Sequence, residues 1–333
     1  NNGTIWAGEQ TVIYLKEATG TITVTNNAGA IIASGERMSS SHAAGVLDLT
    51  EAGSSGDTIT ITNHGTIQNV VKNFAIIDLD HMPSGAIVNF TNTGLIKQGD
   101  PTNGVNNAYS GNVDASDSDA EINFTNSGTI QSAKQVIMLD GSTNFTLTNS
   151  GTIKEDGYDA KFNVSDEDAP TTDDYSTIQV GTSGSGATII NSGTISASGV
   201  NHHGITIGDD DANAAHSNAT IENSGTISAG SDDFARAIII IPSASGTITS
   251  GTTIKVKEEA EFTGGIDLGK TVSTIVLDPS IKKDITITVY NYDGDLTITN
   301  NLTGNDTYSI TEEDLDSDGD TDDGTLIILG EDL

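Results

Sequence analysis

Apolar and polar residues alternate along most of the chain, in short runs separated by stretches rich in glycine, asparagine and aspartate. Runs such as TITITN (58–63), EINFTN (121–126) and TIEN (220–223) place an apolar residue at every second position. Because successive side chains of a strand point to opposite faces, this alternation predicts strands with one buried face. No long segment keeps the period of a helix, so the chain is predicted to be all-β.

One short motif returns along the chain and marks a recurring turn. The pentapeptide NSGTI occurs at 126–130, 149–153, 191–195 and 223–227, and the looser pattern Asn-x-Gly-x-Ile adds copies at 1–5, 27–31, 63–67 and 92–96. The copies are on average about 32 residues apart, with apolar strands such as AIIDL (75–79) and AIIII (237–241) between them. A motif that returns at this period is typical of a structural unit, whereas a catalytic motif is needed once.

The repeat predicts a parallel β-helix in which every copy forms the same corner of one coil. Alternation within 219–228 places Ile221, Asn223 and Ile227 inside and Thr220 and Glu222 outside. Glycine in the motif is expected to supply a positive φ. Stacked units are expected to pair their strands in parallel from residue 1 to about 300, in about nine to eleven coils around a column of isoleucines.

The asparagine of the motif is expected to lie at an inside corner of the coil. Its amide group both donates and accepts hydrogen bonds, so the asparagines of successive coils can form a ladder. Asn126, Asn149, Asn191 and Asn223 are the candidates. Replacement of Asn191 by alanine is therefore expected to destabilise the rod.

The sequence pattern divides the chain into two regions. Residues 1–254 hold the regular Asn-x-Gly-x-Ile coils, with an acidic insertion at 155–174. Residues 255–333 have shorter connections and most of the late lysines, and they are predicted to form irregular terminal coils, a cap and an acidic, Asp-rich tail. A cap is expected because a bare terminal coil exposes unpaired strand edges.

Runs of the type ITNSGTI, together with the phrase EFTGGIDLG at 261–269, resemble the passenger domains of bacterial autotransporters. The likeness extends over roughly residues 1–300. It implies a right-handed parallel β-helix that is exported through the outer membrane and works at the bacterial cell surface. It also implies anchoring by a C-terminal translocator, which would be a segment outside this sequence. Members of this family include adhesins, aggregation factors and proteases, so the resemblance does not select an activity.

Charge and composition exclude several classes of partner. The chain has 13 Lys+Arg against 47 Asp+Glu, a net charge of −34, and no cysteine. Nucleic acids and anionic membrane surfaces would be repelled by this charge. Cations are the natural counter-species, and calcium prefers carboxylate oxygens. No stretch approaches the roughly 18 apolar residues of a membrane-spanning helix.

The strongest candidate for a bound cofactor is the segment DLDSDGDTDDG at 314–324. It follows the D-x-D-x-D-G beginning of a calcium-binding loop, in which alternate carboxylates converge on one ion. The predicted calcium ligands are Asp314, Asp316, Asp318, Asp320 and Asp322. The twelfth position of an EF-hand loop, usually Glu, is Thr325 here. The alternative interpretation is an acidic tail without a bound ion.

The sequence gives little support for catalysis, and we predict that the protein is not an enzyme. It lacks a G-x-S-x-G phrase and H-E-x-x-H or C-x-x-C spacing. The pair His202–His203 is expected to be an exposed loop pair, with metal contact as the alternative. Arg236 lies next to Asp232 and Asp233, which favours ion pairing there.

Three functions remain, and the first is favoured. The protein is predicted to be a non-enzymatic, extracellular stalk or adhesin, which attaches to a surface receptor or glycan or associates with copies of itself. The second possibility is a subunit of a filament or surface layer built by end-to-end stacking. The third is a β-helical enzyme acting on polysaccharides, although aromatic residues that would stack on sugars make up only 5% of the chain.

Overall fold

The structure is a computed structural model that describes residues 1–8, 11–34, 46–69, 75–98, 112–132, 135–139, 141, 144–156, 176–181, 186–208, 219–231, 234–241, 251–292, 296–304, 306–313, 315 and 322–330. Within these residues the chain forms 31 strands and no helix, as the alternating pattern predicts. Accordingly, this part of the chain has no helix with the length and apolarity needed to cross a membrane.

The strands lie in three sheets, and the chain visits the sheets in turn. Sheet A contains nine strands: β1 (Thr4–Ala7), β4 (Ile31–Ser34), β7 (Thr66–Asn69), β10 (Leu95–Gln98), β13 (Thr129–Ser132), β16 (Thr152–Glu155), β19 (Thr194–Ser196), β22 (Thr226–Ser228) and β25 (Glu261–Thr263).

Sheet B contains twelve strands, of which the last two are antiparallel to their neighbours. They are β2 (Ile13–Tyr14), β5 (Leu47–Asp48), β8 (Ile77–Asp78), β11 (Val113–Asp114), β14 (Ile137–Met138), β17 (Ser176–Val180), β20 (His203–Ile207), β23 (Ile238–Ile240), β26 (Ile266–Asp267), β28 (Ile285–Tyr290), β31 (Gly324–Leu329) and β30 (Thr307–Ile310).

Sheet C contains ten parallel strands: β3 (Ile22–Asn26), β6 (Thr58–Asn63), β9 (Ile87–Asn92), β12 (Glu121–Asn126), β15 (Asn144–Asn149), β18 (Thr188–Asn191), β21 (Thr220–Asn223), β24 (Thr252–Val256), β27 (Ser273–Leu277) and β29 (Leu296–Asn300). One passage through sheets A, B and C makes one coil. The nine strands of sheet A thus give nine complete coils, and β28 and β29 add a partial one. The predicted parallel β-helix is confirmed.

Isoleucines form the expected column inside the coils. From Ile67 to Ile227, the isoleucines of the motif pair with one another in successive coils of sheet A. The column runs through Ile67, Ile96, Ile130, Ile153, Ile195 and Ile227, and all six are almost completely buried. Next to sheet C, the rings of Phe90 and Phe124 stack with their centroids 4.4 Å apart. The hydrophobic core is therefore one continuous column along the rod.

The predicted asparagine ladder is confirmed and is longer than the four NSGTI copies. In each coil the Nδ2 atom donates a hydrogen bond to Oδ1 of the next asparagine, at 3.0 Å for the first pair and 2.8 Å for the others. The ladder consists of Asn1, Asn26, Asn63, Asn92, Asn126, Asn149, Asn191 and Asn223. Beyond Asn223, β24 places Val256 in this position, so the ladder ends there.

The copy at 27–31 is shifted relative to our interpretation of the motif. In that coil Asn26, and not Asn27, occupies the ladder, and Ile32, and not Ile31, pairs with Ile67 in the buried column. The corner between Asn26 and Ile32 thus has extra residues compared with the corner from Asn63 to Ile67. Among the motif glycines only Gly29, in this longer corner, has a positive φ, of 76°.

Glycine in the motif is required by close contact between coils, so the expectation of a positive φ was wrong for the regular copies. A Cβ atom on Gly128 would lie 2.1 Å from the carbonyl oxygen of Gly94 in the preceding coil. Gly94, Gly151, Gly193 and Gly225 face the same restriction, at 2.1–2.2 Å. Because no side chain fits in this gap, the corner of each coil stacks directly on the corner before it.

The C-terminal end of the coil stack is covered by antiparallel strands. Parallel pairing does not stop at the division between residues 254 and 255, because both lie in β24. It extends as far as Asn300 of β29. Strand β31 then pairs antiparallel with β28, and β30 pairs with β31. This hairpin satisfies the edge of the last sheet B strand, which is the role expected of a cap.

Candidate functional site

Three aspartates stack on one another along sheet B. Asp48, Asp78 and Asp114 are paired in register at the ends of β5, β8 and β11. In each case Oδ1 accepts a hydrogen bond from the backbone N–H two residues further on, at 3.0–3.1 Å; the donors are Thr50, Asp80 and Ser116. Since neighbouring strands lie about 4.8 Å apart, three carboxylates of like charge are held one above another.

Asp78 lies in the middle of this stack and its ionisation is perturbed. The pKa of the Asp78 carboxyl is raised to about 7, mainly by burial and in smaller part by the neighbouring carboxylates of Asp114 and Asp48. The hydrogen bond from the backbone of Asp80 opposes this shift without cancelling it. A proton or a cation at this position would therefore relieve an unfavourable concentration of negative charge.

A second group of ligand atoms lies beside the stack, in the loops that follow β8 and β11. Asp80, His81 and Asp117 each offer one ligand atom, and these atoms lie within 4.8 Å of one another. His81 Nδ1 is 2.8 Å from Asp80 Oδ1, and His81 Nε2 is 3.9 Å from Asp117 Oδ2. The hydrogen bond to Asp80 raises the pKa of His81. We call Asp48, Asp78, Asp80, His81, Asp114 and Asp117 together the acidic corner.

The backbone of the acidic corner follows the same path in successive coils. Glu51, His81 and Asp117 have φ values of 57°, 54° and 49°, in the left-handed region that non-glycine residues seldom adopt. Glu51 N–H donates to the carbonyl of Asp80, and His81 N–H donates to that of Ser116. The repeated turn thus brings side chains of three coils to one edge, where carboxylate and imidazole groups could coordinate a divalent cation.

The acidic corner was not predicted from the sequence, although the sequence contains a signal for it. The segments LDLTE (47–51), IDLDH (77–81) and VDASD (113–117) share an aspartate directly after a buried residue, in three consecutive coils. Recognising it required the register of the third strand in each coil.

A histidine and a glutamate side chain are buried against each other further along the rod. His202 Nδ1 is 2.9 Å from Glu155 Oε2, and both side chains are almost inaccessible to solvent. Oε2 of Glu155 also accepts the backbone N–H of Ser198 at 3.0 Å. There is no room for a side chain at Gly199, where a Cβ atom would lie 2.3 Å from the His202 ring. The imidazole is thus clamped between the coils.

His203 and Arg236 are buried next to this pair. Nδ1 of His203 accepts the backbone N–H of Arg236 at 3.0 Å, and the Arg236 guanidinium carbon is 3.9 Å from the centroid of the Tyr290 ring. The expectation that His202 and His203 form an exposed loop pair was therefore wrong, because neighbouring coils cover both. Asp232 and Asp233, the partners expected for Arg236, lie outside the described residues.

The predicted calcium loop is described only in part. Asp314, Asp316, Asp318 and Asp320 lie outside the described residues, so their proposed role stays a prediction. Asp322 is described: it is buried, and its Oδ2 is 2.8 Å from Lys270 Nζ.

The neighbouring Asp323, which we had not singled out, fixes both ends of the Asp-rich segment. It forms an isolated antiparallel bridge with Glu313. Its Oδ1 accepts the backbone N–H of Asn291 at 2.9 Å, and its Oδ2 accepts that of Leu315 at 3.0 Å. Asp323 is 1% exposed, so this carboxylate is structural, and it connects the backbone of Leu315 to that of Asn291.

Among the described residues, the group formed by Asp80, His81 and Asp117 is the one set of three side chains with metal-binding geometry. Comparisons with protein-family models, with curated proteins and with solved structures find no match to this chain.

Proposed function

We propose that the protein is a non-enzymatic, extracellular β-helical rod, a stalk or adhesin that mediates attachment or self-association. The observation that supports this most directly is a constant scaffold with variable connections. Sheet register is kept from coil to coil, while the chain between sheets A and B ranges from a few residues, between Ser132 and Ile137, to a long insertion between Glu155 and Ser176. A rigid repeat that carries variable loops suits presentation of binding surfaces.

The resemblance to autotransporter passenger domains supports the extracellular part of the proposal. It would place the rod at a bacterial cell surface, held by a segment outside this sequence. The absence of cysteine is compatible with this, because core packing and the hydrogen bonds of the asparagine ladder hold the coils together without disulfides.

Calcium is part of the proposal as the cofactor that lets such acidic rods approach one another. The chain carries a net charge of −34, and two separate regions concentrate carboxylates, the acidic corner and the Asp-rich segment at 314–324. Bound or condensed divalent cations would reduce the repulsion between copies of the rod.

Sedimentation velocity and calorimetric titration of the purified chain test this proposal together. With calcium we expect a measurable binding heat, a raised Tm and larger assemblies or adherent layers, and with chelator we expect separate rods. A double substitution Asp316→Asn and Asp318→Asn reports on the Asp-rich loop, and Asp80→Asn with Asp117→Asn reports on the acidic corner. If calcium gives no binding heat, no shift in Tm and no change in association, the proposed role of calcium is wrong.

Catalysis is tested separately on the same material. We expect no turnover of peptide or polysaccharide substrates by the purified rod. Turnover that a single substitution abolishes would overturn the non-enzymatic proposal, whatever the response to calcium.

A further inference from the structure

The C-terminal end of the coil stack is stepped. Sheet B continues past β26 with three strands, β28, β31 and β30, whereas sheet C continues past β27 with β29 alone. Since neighbouring strands are about 4.8 Å apart, sheet B projects beyond sheet C by roughly 10 Å. Among the described strands, β29 and β30 each have a neighbour on one side only, so both present a free edge at the step.

The backbone after β29 lacks a partner that it has in the preceding coils. The carbonyl group at the end of a sheet C strand accepts a backbone N–H from the next coil, as Val256 accepts that of Asp278 and Leu277 accepts that of Asn301. In the described part of the chain, no backbone N–H reaches the carbonyl of Asn300, which ends β29. A free strand edge of this kind is a template for pairing with another strand.

The hydrophobic core is only half covered at the step. Tyr308 of β30 is 37% exposed, although its register neighbour Ile328 in β31 is fully buried. Four more apolar residues of the step pack against the core and stay partly exposed: Leu296, Ile298, Leu302 and Ile310. Removing this apolar surface from water would favour association at this end of the rod.

Neither free edge carries a charged residue. Strand β29 consists of LTITN and β30 of TYSI. Soluble proteins commonly protect edge strands with charged side chains, lysine above all. Two unprotected edges with exposed apolar residues beside them, in a chain of net charge −34, fit a partner strand that is itself uncharged.

A second copy of the chain fits the step. The two-fold axis passes through the corner between sheets B and C, so the projecting sheet B of each copy continues into the shorter sheet C of the other. Strand β30 of each copy then lies beside β29 of its partner. Because the two chains run around the common axis in opposite senses, both new pairs are antiparallel, as β28, β31 and β30 are. A flat, regular coil would meet only the projecting sheet.

The connection between β30 and β31 determines when this joint can form. Residues 311–323 (TEEDLDSDGDTDD) are mostly acidic, and the joint brings the connections of two copies to the same place. Repulsion between them opposes the joint until cations neutralise the carboxylates, and calcium prefers such oxygen ligands. The joint is therefore expected to need calcium.

We propose that two copies of the chain join tail to tail in calcium, through reciprocal pairing of β29 with β30. This inference rests on the self-association proposed above, and it names the surface and the partner. The asparagine ladder ends at Asn223, three strands before β29 in sheet C, so the direction of the ladder does not restrict this joint.

The first test adds one lysine to a free edge and, as a control, one lysine to the middle of the rod. Tyr308→Lys places a charge at the step, and Thr91→Lys makes a similar change in net charge at a partly exposed position of β9. Sedimentation velocity of the full chain in calcium and in chelator gives the oligomeric state, and Tm shows whether each variant is folded. We expect calcium-dependent dimers of the unmodified chain and of Thr91→Lys, and complete loss of dimers for Tyr308→Lys.

The second test locates the joint with spin labels, since the chain has no cysteine of its own. Thr299→Cys and Thr23→Cys carry a nitroxide at exposed positions of β29 and β3, at opposite ends of sheet C. Tail-to-tail dimers place the two labels at residue 299 roughly 20–30 Å apart and those at residue 23 roughly 100 Å apart, from the strand spacing. Double electron–electron resonance in calcium measures both distances.

The proposal is overturned if folded Tyr308→Lys dimerises like the unmodified chain, or if the labels at residue 299 are not close in the calcium-dependent assembly. If Tyr308→Lys does not fold, the label distances decide. Either contrary result leaves self-association standing and removes only this joint. A chain that stays monomeric in calcium would contradict both this joint and the proposed self-association.

Discussion

The imidazole of His202 and the carboxylate of Glu155 lie 2.9 Å apart across one coil of the rod, and neither is accessible to water. The pair joins the end of β16 to the loop before β20. A buried ionisable group is expensive to leave alone, so each of these residues depends on the other.

Replacement of Glu155 by alanine is expected to reduce the free energy of unfolding by about 3–5 kcal/mol, because it removes the carboxylate beside the buried His202 ring and the acceptor of the Ser198 N–H. The next residue provides the control. Asp156 pairs with Lys154 at the surface, so Asp156→Ala should change stability by about 0.5 kcal/mol or less. Urea denaturation measures both. Similar midpoints for the two variants would argue against a structural role for the buried pair.

Removal of one ladder amide should be costly in proportion to its burial. Asn126 is buried and hydrogen-bonded to Asn92 and Asn149, so Asn126→Ala is expected to cost about 1–3 kcal/mol. Asn123 lies on the same strand but points outward, and Asn123→Ala should cost little. Chemical denaturation monitored by circular dichroism compares them. An unchanged midpoint for Asn126→Ala would contradict a stabilising ladder.

The effect on stability of replacing a corner glycine should depend strongly on its position. A Cβ atom on Gly128 would overlap the carbonyl oxygen of Gly94, so Gly128→Ala should cost at least about 1–3 kcal/mol. Gly3 occupies the same place in the first copy of the motif, but a Cβ there would meet nothing within 4 Å. Gly3→Ala is therefore the matched control and should be tolerated. Equal Tm values for the two variants would show that coil contact does not restrict this position.

Asp78 should make stability depend on pH between about 4 and 8. Its pKa is raised from 3.8 to about 7, so the folded protein binds this proton more tightly than the unfolded chain does. Below the pKa of the unfolded chain, the carboxyl is protonated in both states and does not change stability with pH. As the pH rises from that pKa through the pKa of the folded protein, stability is lost, by about 4 kcal/mol in full.

Asp78→Asn isolates this contribution, because an amide oxygen can still accept the Asp80 N–H. With chelator present, the variant should match the unmodified protein near pH 4 and be more stable at pH 8. Unfolding free energies at several pH values measure the difference. A difference that is constant with pH would show that Asp78 does not titrate as proposed.

Much of the fold could be predicted because the same residue types recur at the same positions in successive coils. Ile130 and Ile153, or Asn126 and Asn149, carry the same information in the same place, so the repeat shows both the strand faces and the coil length. The glycine at the corner was assigned to the right place for the wrong reason. Its restriction comes from the carbonyl of another coil, which local backbone preference does not reveal.

The candidate sites were less predictable because they depend on contacts between neighbouring coils whose residues lie far apart in the sequence. His202 looks like a loop residue until Glu155 is placed beneath it. Asp48, Asp78 and Asp114 look like isolated surface acids until β5, β8 and β11 are in register. The Asp-rich segment was visible as composition, whereas the structural role of Asp323 appears only with the Asn291 backbone beside it.

The asparagine ladder also gives the rod an electrical direction. In every link, from Asn1 to Asn223, Nδ2 of the earlier coil donates to Oδ1 of the later one, so all the side-chain amide dipoles point the same way. Aligned hydrogen-bonded dipoles reinforce one another, much as peptide dipoles do along a helix. The column is thus positive towards its later coils and negative towards its earlier ones. A coil that joins this column in the opposite orientation would meet it donor to donor or acceptor to acceptor, so any extension of the ladder has to keep the same polarity.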